Sequence, residues 1–209
     1  QTASEVGGDY YDFFPEKNGE SMYVVVGDAT GHGMTAGMMV SITKAGLYGI
    51  PAIPPNEVLK RLNRVIKNID LGWNRMAINM ARFWENKVEF TSAAMPPVYH
   101  YHGDTGEVDE ILIEGLPLGS IMNETFGLQE FPFKKGDSLI FLSDGLPEAN
   151  NDQEEMLGYE AVFDCVKNNG DKNAEEQKKA LLSLGSAWLG ELQNQDDITI
   201  VVVKKTNSL

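Results

Sequence analysis

The chain has 209 residues, 42% of them hydrophobic and 23% charged, which is enough to bury the core of one sizeable globular domain. Its 31 acidic residues against 17 basic ones give a net charge of −14, which argues against nucleic-acid or anionic-membrane partners. No apolar run approaches the ~20 residues of a membrane-spanning helix. The single cysteine excludes an internal disulfide, so we expect a cytoplasmic protein.

The first third of the chain contains one strand signal followed by two helix signals. Residues 22–26 are a β-rich run that ends in Gly27-Asp28. A glycine-containing turn then leads into a predicted helix over 34–48. Pro54 or Pro55 can start a second helix. The apolar stripe of this second helix comprises Val58, Leu62, Val65 and Ile69, widened by Leu59 and Ile66.

The middle of the chain predicts two β-hairpins and a long loop. Segments 76–84 and 87–93 flank a short turn, and segments 98–102 and 108–113 flank a glycine-containing one. The stretch 115–135 carries no strong helix or strand pattern, so we expect a mobile flap there.

The last third predicts a strand, two helices and a final strand. Residues 138–142 form a buried-looking strand, and 159–168 have the pattern of a helix. Asn173 can cap the next helix together with Glu176, in a variant of the capping box. The last predicted strand is 198–204.

These elements favour an α+β fold. Strands joined by hairpins form antiparallel sheets, and the helices occur in pairs instead of alternating with strands. A doubly wound parallel sheet is therefore disfavoured.

Because an aspartate motif begins almost at the first residue, we expect residues 1–209 to be one domain cut from a longer protein.

Four aspartate-bearing segments are spread along the chain: 6–12 (VGGDYYD), 27–33 (GDATGHG), 143–145 (SDG) and 196–199 (DDIT). An aspartate beside glycine is usually a turn residue, so each segment alone is a weak signal. Here, however, Asp28 and Asp144 each end a predicted strand, and the ends of neighbouring strands lie about 5 Å apart. Converging carboxylates repel one another unless cations bind. Two Mg²⁺ or Mn²⁺ ions would neutralise them and activate a water, which indicates a metal-dependent hydrolase.

Longer motifs carry a family resemblance. They are VGGDYYDF, VVVGDATGHGMTAGMM, GLPLGS, KKGDSLIFLSDGLPEA and DDITIVVV. In this order they resemble the SpoIIE/RsbU branch of the metal-dependent PPM phosphatases, relatives of protein phosphatase 2C. The resemblance implies two antiparallel β-sheets sandwiched between layers of α-helices. It also implies hydrolysis of phosphoserine or phosphothreonine in a protein with two Mn²⁺ or Mg²⁺ ions. A STAS-type anti-sigma-factor antagonist would be the substrate, and an upstream sensory region would control the domain.

The resemblance extends to individual metal ligands. Asp28 corresponds to the carboxylate that bridges both metals, and the backbone carbonyl of Ala29 to a ligand of one of them. Asp144 and Asp196 correspond to further ligands of the first metal, so the catalytic set would be Asp28, Asp144 and Asp196. Asp197 is the alternative to Asp196. Related phosphatases with Asp-Asn at this point use the first residue as the ligand, which favours Asp196.

Other positions of the first two motifs have less defined roles. Asp9 lies where the family has an acidic residue beside the second, more labile metal. Asp12 matches a position that is often acidic in this branch, and we expect a turn or supporting residue there instead of a ligand. Gly31 and Gly33 would let the backbone turn tightly.

The chain departs from the family pattern in one motif. Where this branch commonly has A-G-H-P-P, residues 93–97 read A-A-M-P-P, so no catalytic role of that histidine can be transferred. The basic residue that helps to hold the phosphate in animal enzymes also has no clear counterpart near Asp9. Phosphate binding would therefore depend mainly on the metals and their waters.

The remaining reactive side chains are predicted to be structural. His32 is expected to pack within the glycine motif, and Cys165 to fill the core under a helix. His100 and His102 share one face of a strand, but a zinc site needs further ligands and no convincing third one is seen. Three methionines at helical spacing are expected to fill core: Met34, Met38 and Met39.

Two other functions stay open. The domain could be a non-catalytic or conditionally inactive binding module of the same fold, in which case it would stay inert with Mn²⁺ and a phosphorylated partner. It could also hydrolyse a small phosphoester, which a comparison of phosphopeptide and metabolite substrates would reveal.

Overall fold

The computed structural model of the chain describes residues 7–16, 19–192 and 196–206, and these divide into two compact units. The first, called the N-terminal unit, contains the described residues of Ser4–Met95 and Ile113–Pro132. The second, called the C-terminal unit, contains Pro96–Leu112 and the described residues of Phe133–Leu209.

Nine strands and four helices are assigned within the described residues. In chain order they are β1 (Asp9–Pro15), β2 (Met22–Ala29), α1 (Met34–Gly49), α2 (Pro55–Ile69), β3 (Met76–Phe83), β4 (Lys87–Ala93), β5 (Val98–Tyr101), β6 (Val108–Ile111), β7 (Gln129–Pro132), β8 (Ser138–Leu142), α3 (Tyr159–Asn169), α4 (Ala174–Leu189) and β9 (Ile200–Lys204).

The N-terminal unit is built on a five-stranded antiparallel sheet in the order β1-β2-β3-β4-β7. Its central strands are apolar and buried, which is why β2 and β3 lie in the middle of the sheet. Helices α1 and α2 pack on this sheet around one apolar core. Fully buried members of that core include Val25, Met39, Leu59, Leu62 and Met80.

The first aspartate motif continues into strand β1, for which the sequence offered no prediction. Two expectations for this unit are corrected. The predicted flap 115–135 contains β7, and its residues Gly119, Ile121 and Met122 are hydrogen-bonded to the buried Asn63. On α2 the buried stripe consists of Val58, Leu59, Leu62 and Ile66, whereas Val65 and Ile69 are exposed.

The C-terminal unit is built on a four-stranded antiparallel sheet in the order β6-β5-β8-β9, with α3 and α4 packed on it. Every residue of β8 is buried. The capping box of α4 is present as predicted: the Asn173 side chain accepts from the Glu176 amide at 3.0 Å, and the Glu176 carboxylate accepts from the Asn173 amide at 3.3 Å.

The predicted α+β class with two antiparallel sheets is therefore confirmed, and each sheet carries its own pair of helices. All strand pairs assigned in the described part of the chain are antiparallel. None of the helices within residues 7–16, 19–192 and 196–206 has both the length and the apolar character needed to span a membrane.

Candidate metal-dependent active site

The first candidate ligands, Asp9 and Asp28, lie opposite each other on β1 and β2. Residues in direct register share one face of the sheet, with Cβ atoms roughly 4.5–5.5 Å apart, and like charges in such a pair are destabilising. Asp28 comes directly after the buried run of β2, and both aspartates are only partly buried. This end of the strand pair thus presents two carboxylates that a cation would stabilise.

A close backbone approach holds the loop after Asp28 against the start of β1. The Ala29 amide donates to the Gly8 carbonyl at 3.0 Å. A Cβ atom at Gly8 would lie 2.6 Å from the Ala29 carbonyl oxygen and 2.8 Å from that of Gly31. Gly31 and Gly33 have φ values of 77° and 83°, so the predicted tight turn is confirmed. The sequence-based account missed Gly8, although its position directly before Asp9 was visible.

The second group of candidate ligands surrounds Asp144 in the C-terminal unit. Asp144 follows β8, and Asp196 precedes β9, which pairs with β8 so that Leu142 lies opposite Ile200. Burial, followed by the negative charges of Asp196 and Glu148, raises the pKa of the Asp144 carboxyl above its usual range. A bound divalent cation would remove the cost of keeping this carboxylate ionised.

The adjacent residues Asp196 and Asp197 have different environments. Asp197 is 6% exposed, whereas Asp196 is exposed and its carboxylate accepts from the Asp197 amide at 2.8 Å. The Ser143 hydroxyl donates to the Asp197 carbonyl at 3.3 Å and accepts from the Thr199 amide at 2.9 Å. The Ser143 side chain therefore ties the Asp144 turn to the segment before β9.

Gly145 makes a second close approach, which sequence reasoning also missed. A Cβ atom at this position would overlap the Asp197 carbonyl oxygen and lie 2.9 Å from its carbonyl carbon. Only glycine allows these two backbone segments to be so close. In the N-terminal unit Gly8, next to Asp9, thus lets the backbone of Ala29 come close. In the C-terminal unit Gly145, next to Asp144, does the same for the backbone of Asp197.

Asp12 lies within β1, not in a turn, and its contacts are local. Its carboxylate accepts from the Tyr10 hydroxyl at 3.0 Å and forms an ion pair with Lys44 of α1 at 3.3 Å. These contacts tie β1 to the helix that follows the glycine turn. They are in keeping with the expected supporting role.

Several predicted structural roles are wrong. His32 is exposed and does not pack in the core. Of the three methionines on α1 only Met39 is buried, whereas Met34 and Met38 are 82% and 48% exposed, because the apolar residues of this helix cover more than the face that meets the sheet. Cys165 is partly buried against the core of its unit as predicted, and burial raises the pKa of its thiol.

The surroundings of His100 and His102 also differ from expectation. Asp137 provides the third potential ligand that the sequence did not reveal, beside His100 and His102. It lies 35 positions or more along the chain from either histidine, so no local pattern links them.

A groove of about 640 Å³ in the N-terminal unit contains none of the candidate ligands. It is lined by residues that include Phe14, Tyr48 and Ile50. Phe14 is at the opposite end of β1 from Asp9, so this groove is not the candidate active site.

Comparisons of this chain with known proteins show the family to which it belongs. The family model of stage II sporulation protein E (SpoIIE) matches residues 18–206, and the chain therefore belongs to the SpoIIE family. The expected resemblance is confirmed.

Individual relatives agree with this assignment. The phosphoserine phosphatase RsbU of Bacillus subtilis is 28% identical over 210 residues, and the match covers 97% of this chain but only 61% of that protein. The SiaA-PP2C domain of Pseudomonas aeruginosa superposes with a TM-score of 0.83 at 21% identity, covering 98% of this chain and 82% of that one. RsbX, solved in complex with magnesium, has a TM-score of 0.68 at 15% identity, with 96% and 88% covered. The fold is thus that of PP2C-type domains.

Proposed function

We propose that this domain is a metal-dependent protein serine/threonine phosphatase that acts in the cytoplasm. Its substrates would be phosphoserine or phosphothreonine side chains of a regulatory protein. The observation that carries the proposal is that the aspartates of the four aspartate-bearing segments lie at or close to strand ends, as Asp9 with Asp28 in one unit and Asp144 with Asp196 in the other.

The proposal assigns two Mn²⁺ or Mg²⁺ ions to these carboxylates. Asp28 would bridge both ions, the Ala29 carbonyl and Asp144 would bind one of them, and Asp9 would lie beside the other. Oxygen ligands of this kind suit hard divalent cations. Of the adjacent aspartates we propose Asp196 as the ligand, because it is exposed and its charge acts on Asp144.

The buried Asp197 would instead act as a positioning residue. Its carbonyl accepts from Ser143 and its amide donates to the Asp196 carboxylate, so it orients the neighbouring ligand.

When bound, the ions would supply a water nucleophile and stabilise the charge on the phosphoryl oxygens. The residues of the chain would hold the geometry for in-line attack on phosphorus, without a covalent phosphoenzyme. The glycine contacts at Gly8 and Gly145 support this role, since they bring backbone segments to fixed positions beside the carboxylates.

The mechanism is tested by hydrolysis of p-nitrophenyl phosphate and of a phosphoserine peptide, with and without Mn²⁺. Asp28→Asn is expected to lower turnover by roughly 10³-fold, since the metals contribute several kcal/mol to transition-state stabilisation. Asp164→Asn, at an exposed site on α3, serves as the matched control and should leave turnover unchanged. Equal rates without metal, or in the Asp28 variant, would reject the mechanism.

A STAS-type anti-sigma-factor antagonist is the substrate that we propose, with an upstream sensory region controlling the domain. The similarity to a protein named phosphoserine phosphatase RsbU supports phosphoserine as the group that is hydrolysed, and the chain spans 61% of the length of that relative. The test incubates the full-length protein with phosphorylated antagonist candidates encoded nearby in its genome. Failure to dephosphorylate any of them, with activity retained on small aryl phosphates, would favour a small phosphoester as substrate. Inertness toward all substrates in Mn²⁺ would favour a binding module.

A further inference from the structure

Three side chains of the C-terminal unit converge at a position that the phosphatase mechanism does not use. Ligand atoms of His100, His102 and Asp137 all lie within 4.8 Å of one another. His100 Nε2 is 3.2 Å from Asp137 Oδ2. Two ligands that are each 2.0–2.1 Å from a tetrahedral Zn²⁺ are roughly 3.4 Å apart. This pair therefore already has the spacing of two ligands on one ion.

Sheet pairing creates the cluster. His100 on β5 lies opposite Asp109 on β6 and opposite Leu139 on β8. Asp137 directly precedes β8, and His102 directly follows β5, so the two residues meet at the same end of this strand pair. Since His100 and His102 are two residues apart on extended backbone, they project to the same face. Their ring centroids are 4.2 Å apart.

The Asp137 carboxylate is buried and held in place by backbone donors. It is 1% exposed and accepts from the Gly103 amide at 2.9 Å and from the Lys134 amide at 2.8 Å. Lys134 itself directs its ammonium to Asp104, at 3.0 Å. A carboxylate oriented by such contacts can bind an ion without rearranging.

The exposure of the side chains leaves an entry path on one side of the cluster. The Asp109 carboxylate oxygen lies 2.8 Å from His102 Nε2, and the Asp109 side chain is 67% exposed. The His102 side chain is 27% exposed, whereas that of His100 is 3% exposed. An ion could therefore arrive from solvent on the His102 side, with water completing the coordination.

We propose that His100, His102 and Asp137 form a binding site for one divalent transition-metal ion of the Zn²⁺ type. Imidazole together with carboxylate suits Zn²⁺, Co²⁺ or Ni²⁺, whereas Mg²⁺ prefers oxygen ligands and water. Asp137 and Asp144 lie beyond opposite ends of β8, whose 5 residues span roughly 16 Å. The site is thus separate from the carboxylates assigned to phosphoester hydrolysis and does not depend on that assignment.

The experiment titrates Zn²⁺ into the EDTA-treated, dialysed protein in the presence of excess Mg²⁺, using calorimetry. Co²⁺ titrations followed by visible absorption report on the coordination number and geometry of the bound ion. The wild type is expected to bind one Zn²⁺ that Mg²⁺ does not displace, and Asp144→Asn should retain it. His102→Gln, at a partly exposed position, should weaken this binding by roughly 100-fold or more, because loss of supporting contacts alone costs 10–100-fold.

Two controls accompany this variant. Asp104→Asn removes a nearby carboxylate outside the cluster, and His32→Gln removes a histidine outside it; both should bind Zn²⁺ as the wild type does. Thermal unfolding without metal checks that His102→Gln is folded. Zn²⁺ binding and Co²⁺ spectra that are the same in His102→Gln and in the wild type would overturn the proposal. A wild type that binds no Zn²⁺ in excess Mg²⁺ would do the same and would leave His100 and Asp137 as a hydrogen-bonded structural pair.

Discussion

Gly8→Ala is expected to impair phosphoester hydrolysis by moving the loop that carries Asp28 and Ala29. The added methyl carbon would lie 2.6 Å from the Ala29 carbonyl oxygen, 2.8 Å from that of Gly31 and 3.0 Å from Asp28 Oδ1. Since ordinary van der Waals contact begins at 3.4 Å, the Ala29 carbonyl would have to retreat by about 0.8 Å. Backbone atoms cannot rotate away as a flexible side chain does.

This displacement is large on the scale of metal coordination. Ligand distances in working sites hold within about 0.2 Å, and a misplacement of about 1 Å can lower turnover by about 10²-fold. We therefore expect Gly8→Ala to hydrolyse p-nitrophenyl phosphate about 100-fold more slowly and to need more Mn²⁺ for half-maximal activity. The substitution does not remove any carboxylate, so the loss would come from geometry alone.

The assay measures initial rates across a Mn²⁺ series, with circular dichroism to confirm folding. Gly49→Ala is the matched control, because a Cβ atom there would meet nothing within 4 Å. It should behave as the wild type does. The reasoning fails if folded Gly8→Ala keeps its rate within about twofold of wild type at every Mn²⁺ concentration.

Three further outcomes are expected. Asp196→Asn should raise the Mn²⁺ concentration needed for activity, whereas Asp197→Asn keeps the backbone amide and carbonyl that orient Asp196 and should need little more Mn²⁺ than the wild type. Equal Mn²⁺ requirements of the two variants would refute the assigned roles. The Arg82 guanidinium, 2.6 Å from Glu16, lowers the pKa of the Glu16 carboxyl, so this pair stabilises the fold above pH 4.5, and the stabilisation is lost as pH falls through the pKa of Glu16 in the folded protein. Urea unfolding should show a difference in unfolding free energy between wild type and Glu16→Gln at pH 7 that shrinks at lower pH. Asn173→Ala should cost about 1 kcal/mol of unfolding free energy through loss of the α4 cap, and an unchanged urea midpoint would contradict this.

Features that depend on neighbours in the sequence were predictable. The strand over 138–142, the α4 capping box and both hairpins follow from local hydrophobicity and turn chemistry, and the structure has them. The family motifs likewise identified the SpoIIE family, since they are contiguous strings. Strand β7 was missed because its four residues, Gln129–Pro132, are mostly exposed and include a proline, and their conformation depends on pairing with β4.

Features that depend on contacts between distant residues were harder to predict from the sequence. Helical periodicity on α2 predicted an apolar stripe, but only packing against the sheet decides that Val65 and Ile69 lie at its exposed margin. In α1 the same limit applies to Met34 and Met38, since a helix that is apolar on more than one side does not reveal which side is covered.

The sequence by itself determined the α+β class, the order of the elements other than β1 and β7, and the identity of the aspartates that match the family. Only the tertiary structure decided which of these side chains meet. Register between β1 and β2 puts Asp9 opposite Asp28, and pairing of β5 with β8 brings Asp137 to His100 and His102. Strand pairing of this kind joins residues that are far apart along the chain, so propensities that act over a few residues cannot specify it.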